Sequence, residues 1–242
     1  MEMLTEKLFD FPKLQYNEKD YFSAHENLLK FLAAEIKPQD KKILDIGCAT
    51  GLVFLLVPGY QDHQIYGVDI EQDFIDVFKK RFDSNNESHA SVCNIERESL
   101  PFNDNEFDLV ICNSVLEHTL TPKHLISEIH RILKPGGRVI FAVPHALALI
   151  KRWNLLRGRN VFTPLIDNLI NRTYQKRCAV LYSVKDIKMA TGSLFKDIEI
   201  RFFEDTAELK NTNPGFLKKV FINFVCSFFP EWRDTLVAVA RK

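Results

Sequence analysis

The chain lacks a C-x-x-C pair, a G-x-G-x-x-G loop, a G-x-x-x-x-G-K-[ST] loop, an excess of either charge, and an apolar run long enough to cross a bilayer. Each absence removes a class of function. Cys48, Cys93, Cys112, Cys178 and Cys226 are odd in number and widely spaced, so neither a zinc knuckle nor a redox dithiol is expected, and no metal site. Most of them fall inside apolar runs, the pattern of buried reduced thiols in a cytoplasmic protein. The 32 Lys and Arg balance 32 Asp and Glu, which leaves no electrostatic footprint for a phosphate backbone, so nucleic acid is not an expected partner. The opening "MEMLTEKLFDF" carries acids and no apolar centre, unlike a secretory signal. The late run "VFINFVCSFF", Val220 to Phe229, is about half of the ~20 residues a spanning helix needs.

What the chain does have is a composition for burial: 46% hydrophobic and 26% charged over 242 residues, which fits one domain with elaborations. Tyr21, His25, Leu28, Leu29 and Leu32 recur at helical spacing and end near Pro38. A strand–helix alternation follows. "KKILDIG", "QIYGVDI", "ASVCNI", "FDLVICNS" and "RVIFAVP" read as strands, and "QDFIDVFKKRF" and "TPKHLISEIHRILKPGG" as helices. In the second helix Thr121 is the expected N-cap, Pro122 opens the first turn, and Gly136 in "LKPGG" is the stop. After Pro144 the rhythm fails until "FKDIEIRFFE" and "DTLVAVARK", two closing strands.

The fold class expected is therefore α/β, a doubly wound, mostly parallel seven-stranded sheet with an N-terminal helical region and an inserted cap after the fifth strand. Within a single domain, residues 1–40 are assigned to a helical lid, 41–144 to the core and 145–195 to a substrate-side insertion. Residues 196–242 hold the closing strands and helix.

In such sheets ligands bind beyond the carboxyl ends of the strands, where strand order reverses. "ILDIGCATG", Ile43 to Gly51, puts a small-residue loop at one of those ends. Gly47 lets the chain turn, and Gly51 lets backbone approach a ligand. Asp69 ends the second strand roughly twenty residues after Gly47, the placement of an acid that holds ribose hydroxyls. The glycine spacing G-x-x-x-G does not suit a pyrophosphate. Asp45, two residues before the loop, would repel phosphate yet attract the ammonium and sulfonium groups of S-adenosylmethionine.

Four blocks in order, "LDIGCATG", "GVDI", "NIERESLPFNDNEFDLVICNSVLEH" and "HRILKPGGRVIFAVP", resemble the class I S-adenosylmethionine-dependent methyltransferases. The closest likeness is to the ubiquinone-biosynthesis-type (methyltransferase type 11) branch, over about residues 40–145. The resemblance implies a Rossmann-like methyltransferase fold, with S-adenosyl-L-methionine as cofactor and S-adenosyl-L-homocysteine as product. It implies that Asp45, Gly47, Cys48, Ala49 and Gly51 line the methionine and ribose side. Asp69 would take the ribose hydroxyls and Ile70 pack on the adenine. Asn94 and Ile95 would stand at the adenine edge, and Asn113 border the methyl group. Two positions depart from the family pattern. Ala49 replaces a glycine, tolerable in a similar turn only if its φ is negative, and Asn94 replaces an aspartate, keeping an acceptor oxygen without the charge.

The acceptor side carries weaker signals. His145, directly after the fifth strand, and His118, in "LEH", are the candidate general bases, His145 the better placed. "HALALIKRWNLLRGRNVF", with Lys151, Arg152, Arg157 and Arg159, reads either as a solvated helix face or as a surface for an anionic substrate or membrane. The run from Val220 to Phe229 fits peripheral membrane contact, a homodimer interface or a packed core helix equally well. The leading expectation is transfer of a methyl group to a small-molecule, glycan or lipid-linked acceptor at oxygen. The alternative is a non-catalytic cofactor-binding regulatory or partner module on the same fold.

Overall fold

The computed structural model describes residues 18–82, 89–158, 182–203 and 216–242. Helix α1 spans Glu18–Glu35 and bends at His25, whose backbone leaves helical geometry (φ −112°, ψ 16°). Then β1 (Lys42–Ile46), β2 (Gln64–Asp69), α2 (Gln72–Phe82), β3 (His89–Val92), β4 (Phe107–Asn113), α3 (Pro122–Ile132) and β5 (Leu133–Pro144) follow in alternation. The later elements are α4 (Leu149–Leu156), α5 (Val184–Thr191), β6 (Lys196–Phe203), α6 (Phe216–Phe228) and β7 (Thr235–Arg241). They form one seven-stranded sheet in the order β3-β2-β1-β4-β5-β7-β6. Pairing is parallel from β3 to β5, while β7 runs antiparallel to both β5 and β6. Strand order reverses between β1 and β4, so the loops after those two strands open onto one crevice.

Period-two alternation divides the core between the two faces of the sheet. Ile43, Leu109, Ile111 and Ile140 pack with Leu28 and Leu32 of α1 and Ile75 and Phe78 of α2. Leu44, Ile46, Val110, Cys112 and Phe141 pack on the other face with Leu125 and Ile129 of α3 and Ile187 of α5. Both sides of β4 are thereby covered, which its unbroken apolar run requires. Two buried ion pairs brace this packing, one joining α1 to α2 and the other joining the loop after α1 to β5. Arg81 donates to Glu18 at 2.7 Å, and Arg138 holds both carboxylate oxygens of Asp40 at 2.7 and 2.6 Å. Removing one member would leave a buried charge alone, at about 3–5 kcal/mol. Cys48, Cys93, Cys112 and Cys226 are buried free thiols, and Cys178 lies outside the described residues.

Three local expectations are revised. "LKPGG" is part of β5 rather than a helix stop: α3 ends at Ile132, and Leu133 already pairs with Phe107. Pro135 explains it, because its ring disfavours helical geometry at the residue before it. Thr121 stands at the N-cap of α3 but does not cap with its side chain; its hydroxyl donates to Glu96 Oε2 at 2.8 Å. Ala49 has φ +45°, in the left-handed region, where a negative value was required of it.

Candidate functional site

The loop after β1 is held down by β2. The amides of Gly47 and Cys48 both donate to the Val68 carbonyl, at 2.8 and 3.1 Å. Gly47 (φ +67°) has no room for a side chain, since a Cβ there would stand 2.3 Å from Val115 Cγ2. At Gly51 (φ +78°) the space a Cβ would take is filled by the rings of Phe82 and Phe78. Gly51 thus closes the loop onto α2, a packing demand the spacing argument did not contain. Ala49 N–H donates to Asp69 Oδ2 at 2.9 Å and Glu71 N–H to Asp69 Oδ1 at 3.1 Å. With the Ile70 amide also bonded to this carboxylate, an acceptor position of Asp69 still remains for a further donor, such as a ribose hydroxyl.

A cleft at these strand ends is lined by Asp45, Gly47, Cys48, Ala49 and Asn113, with Tyr21 and Leu29 of α1 forming its cover. Asn113 Nδ2 donates to the Tyr21 hydroxyl at 3.4 Å, and the Tyr21 ring lies tilted against that of His25, centroids 4.2 Å apart, at the bend in α1. Asp45 is buried, and among the described residues no side chain or backbone N–H donates to it. Burial first, and then the charge of Asp69, push its pKa well above the usual carboxylate range. Burial likewise raises Asp69, against the lowering effect of the N–H groups it accepts from. Asp45 in this cleft, with Asp69 bonded to the Ala49 amide beside it, makes the strand ends favourable to a positive ligand. Ala49 and Ser114 (φ +55°) both hold left-handed backbone next to this cleft, the kind of strain that gathers at binding sites.

Ile70 is 50% exposed immediately after Asp69, free to lie against a flat ring. Ile95 packs partly buried on the core below. Asn94 spends its Oδ1 on the Glu96 amide at 3.2 Å, an Asx turn, so one acceptor position on that oxygen remains.

A family model described as "Methyltransferase domain" matches residues 44–141, the stretch that carries every strand end just described except the far side of β5. That span is a class I S-adenosylmethionine-dependent methyltransferase domain. S-adenosyl-L-methionine is the cofactor of such a domain, and the cleft fits it: unpaired Asp45 suits the cationic end and Asp69 the ribose.

The methyltransferase domain is 30% identical over 116 residues to a ubiquinone biosynthesis O-methyltransferase of Coxiella burnetii, a match covering 47% of this chain and 48% of that protein. The chain therefore spans about half the length of the curated relatives it matches. The fold extends further than the sequence likeness. An S-adenosylmethionine-dependent methyltransferase of Thermotoga maritima superposes with a TM-score of 0.59 at 15% identity, over 93% of this chain and 94% of that one. Phosphoethanolamine N-methyltransferase 2 of Haemonchus contortus, in complex with S-adenosyl-L-methionine, gives 0.58 at 18% identity over 95% and 58%.

The two candidate histidines, His118 and His145, are not brought together. His118 lies half-open in the short helical turn after β4, with Nε2 at 4.0 Å from Glu117 Oε1. His145 is buried beyond β5, its ring 5.2 Å from that of Phe202, and it forms the floor of a second, open cleft with Leu147, Arg152, Lys185, Lys188 and Glu231. Its Nδ1 faces the Arg233 carbonyl at 3.2 Å. A carbonyl can only accept, so Nδ1 carries the hydrogen and Nε2 keeps its lone pair. Burial lowers the pKa of His145, with the nearby positive charge of Lys151 and Arg152 adding to the effect.

Glu117 was not singled out by motif reasoning, which read "LEH" for its histidine. It is buried, its Oε2 has no hydrogen-bond partner, and burial raises its pKa to about 8. Only the turn that carries it inward reveals this. Among the described residues no cluster of three metal-ligating side chains occurs, and no helix is long and apolar enough to cross a membrane. Arg159 lies outside the described residues.

Proposed function

We propose that this chain transfers a methyl group from S-adenosyl-L-methionine to an oxygen atom of a small-molecule or lipid-linked acceptor bearing negative charge. The observation that carries the reading is the pair Asp45, buried, and Asp69, half-buried, acids at adjacent strand ends with acceptor capacity left over. The donor supplies an electrophilic methyl on sulfur. Asp45 and Asp69 orient it, and α1, through Tyr21, excludes water from it. His145 Nε2 takes the acceptor's proton as the new carbon–oxygen bond forms and the carbon–sulfur bond breaks.

Support for the acceptor class comes from the cleft over His145, where apolar Leu147 and Met189 meet the cations Arg152, Lys185 and Lys188. Asn113, which lines the cofactor cleft, pairs across the sheet with Ala142, three residues before His145. The oxygen assignment draws on the O-methyltransferase relative.

The test is incorporation of labelled methyl into cell extracts fractionated by class, lipid against polar small molecule. Label in an anionic or lipid fraction, lost in an Asp69→Ala variant, is the expected result. Tight binding of the donor with no label in any fraction would instead support the cofactor-binding module.

A further inference from the structure

Helices α4 and α6 stand apart from the rest of the fold. They share a small core of their own, Ala148, Ile150, Ile222 and Cys226 with Leu149 and Trp232, separate from the two clusters that flank the sheet. Helix α6 is apolar on that inward face and apolar again on the outward one. Phe221, Phe224 and Phe228, spaced three and four apart on one stripe, are 59%, 62% and 67% exposed. Large aromatic side chains left bare along one stripe mark an interaction surface. The patch continues onto α4 through exposed Trp153, Leu155 and Leu156.

Its chemistry is that of an interfacial surface. Aromatic rings alternate with guanidinium groups: Arg157 sits over Trp153 at 5.2 Å and Arg152 over Trp232 at 5.0 Å, with Phe229 stacked on Trp232 at 4.7 Å. Neither α4 nor α6 contains an acid, and Arg152 and Arg157 are exposed beside the aromatics, while Lys151 is buried and donates to the His145 carbonyl at 3.1 Å; acid returns only at Glu231. Neither helix is long enough to span a bilayer, so an arrangement flat in the headgroup plane is the one their length allows.

We propose that the α4–α6 face docks on an anionic lipid surface, with the α6 phenylalanines in the acyl boundary and the arginines at the phosphates. Charge complementarity selects lipid over a second copy of the chain, because two such cationic faces would repel each other. The proposal does not depend on the reading of the cofactor cleft.

The chain's two tryptophans, Trp153 and Trp232, both lie in this patch, so its intrinsic fluorescence reports on this face alone. The full chain is mixed with vesicles of phosphatidylcholine containing phosphatidylglycerol, and with phosphatidylcholine alone. Co-sedimentation and a blue-shifted emission are expected with the anionic vesicles, weakening as salt rises. The triple variant Phe221→Gln, Phe224→Gln, Phe228→Gln should lose at least about tenfold in partitioning. Arg157→Gln, a milder change, should weaken binding without affecting folding.

No binding by the wild type overturns the proposal, and so does equal binding to both vesicle types. A wild-type dimer that the triple variant converts to monomer, without vesicle binding, would also overturn it and assign the face to a second copy.

Discussion

Ala49 and Asp69 are locked together: the Ala49 amide, held at φ +45°, donates to Asp69 Oδ2 at 2.9 Å across the two strand ends that form the cofactor cleft. The strained backbone aims the amide, and the amide fixes the carboxylate rotamer. The carboxylate that the ribose would meet is thus positioned before any ligand arrives.

Asp69→Ala is expected to cost about 1–3 kcal/mol of S-adenosylmethionine affinity, the scale for leaving ligand hydroxyls without an acceptor. Calorimetry against the donor, its demethylated product and NAD measures this. Unchanged affinity would mean that the ribose lies elsewhere, and preference for NAD would reject the cleft as a sulfonium seat.

At Ala49 an L-residue costs roughly 1 kcal/mol or more in left-handed backbone. Ala49→Gly removes that cost at the expense of extra unfolded-state entropy. A net stabilisation of about 0.5–1 kcal/mol, with donor affinity retained, is expected in denaturant melts. A destabilised variant would show that the φ assigned to Ala49 is wrong.

Asp45 exchanges stability for binding. Its folded pKa is raised above the unfolded value, so the folded state binds more protons and stability falls as pH rises through that window. Asp45→Asn should therefore melt at a higher temperature than the wild type at neutral pH without ligand, and bind the donor more weakly. A gap between the two melting temperatures that does not widen as pH rises above the ordinary carboxylate range would count against the raised pKa of Asp45.

His145→Ala is expected to lower methyl turnover while donor binding stays intact. The folded pKa of His145 is lowered, so the imidazole stays neutral, with Nε2 free, until the pH falls below its ordinary value near 6.5. Burying it neutral stabilises the fold above that value and is lost as the pH drops through it. Turnover should fall on the same acidic limb. Unaltered turnover in the variant would remove His145 as the base.

Glu117→Gln keeps the shape of the buried carboxyl and removes its titration near pH 8. Because the unfolded carboxyl ionises at its ordinary value while the buried one holds its proton, the variant should gain stability relative to wild type as pH rises from 4.5 to about 8, and the gap should level off above that. Parallel stability curves over that range would contradict the raised pKa.

Much of this architecture could be read from residue order. The alternation of apolar runs gave five parallel strands, and the unbroken "FDLVICNS" required burial on both faces, as β4 has. Asp45 and Asp69 could be singled out because they stand at strand ends, which are set by local pattern, while Asn113 followed from the family resemblance. The errors lie where a distant partner intervenes. Thr121 was assigned to its own helix, yet Glu96 takes its hydroxyl. "LKPGG" was assigned to a stop, yet Phe107 draws Leu133 into the sheet. Glu117 looked unremarkable because nothing in "LEH" says that its side chain turns inward.

Local chemistry in the chain fixed the strand–helix rhythm, the acids at the first two strand ends and hence the charge of ligand they accept, since these depend on period, turn sterics and Coulomb attraction between near neighbours. Which acid is left unpaired, which histidine nitrogen is free and which face of α6 stays bare depend on contacts between residues tens of positions apart. Burial and desolvation are properties of packed surroundings, and those exist once the sheet has closed.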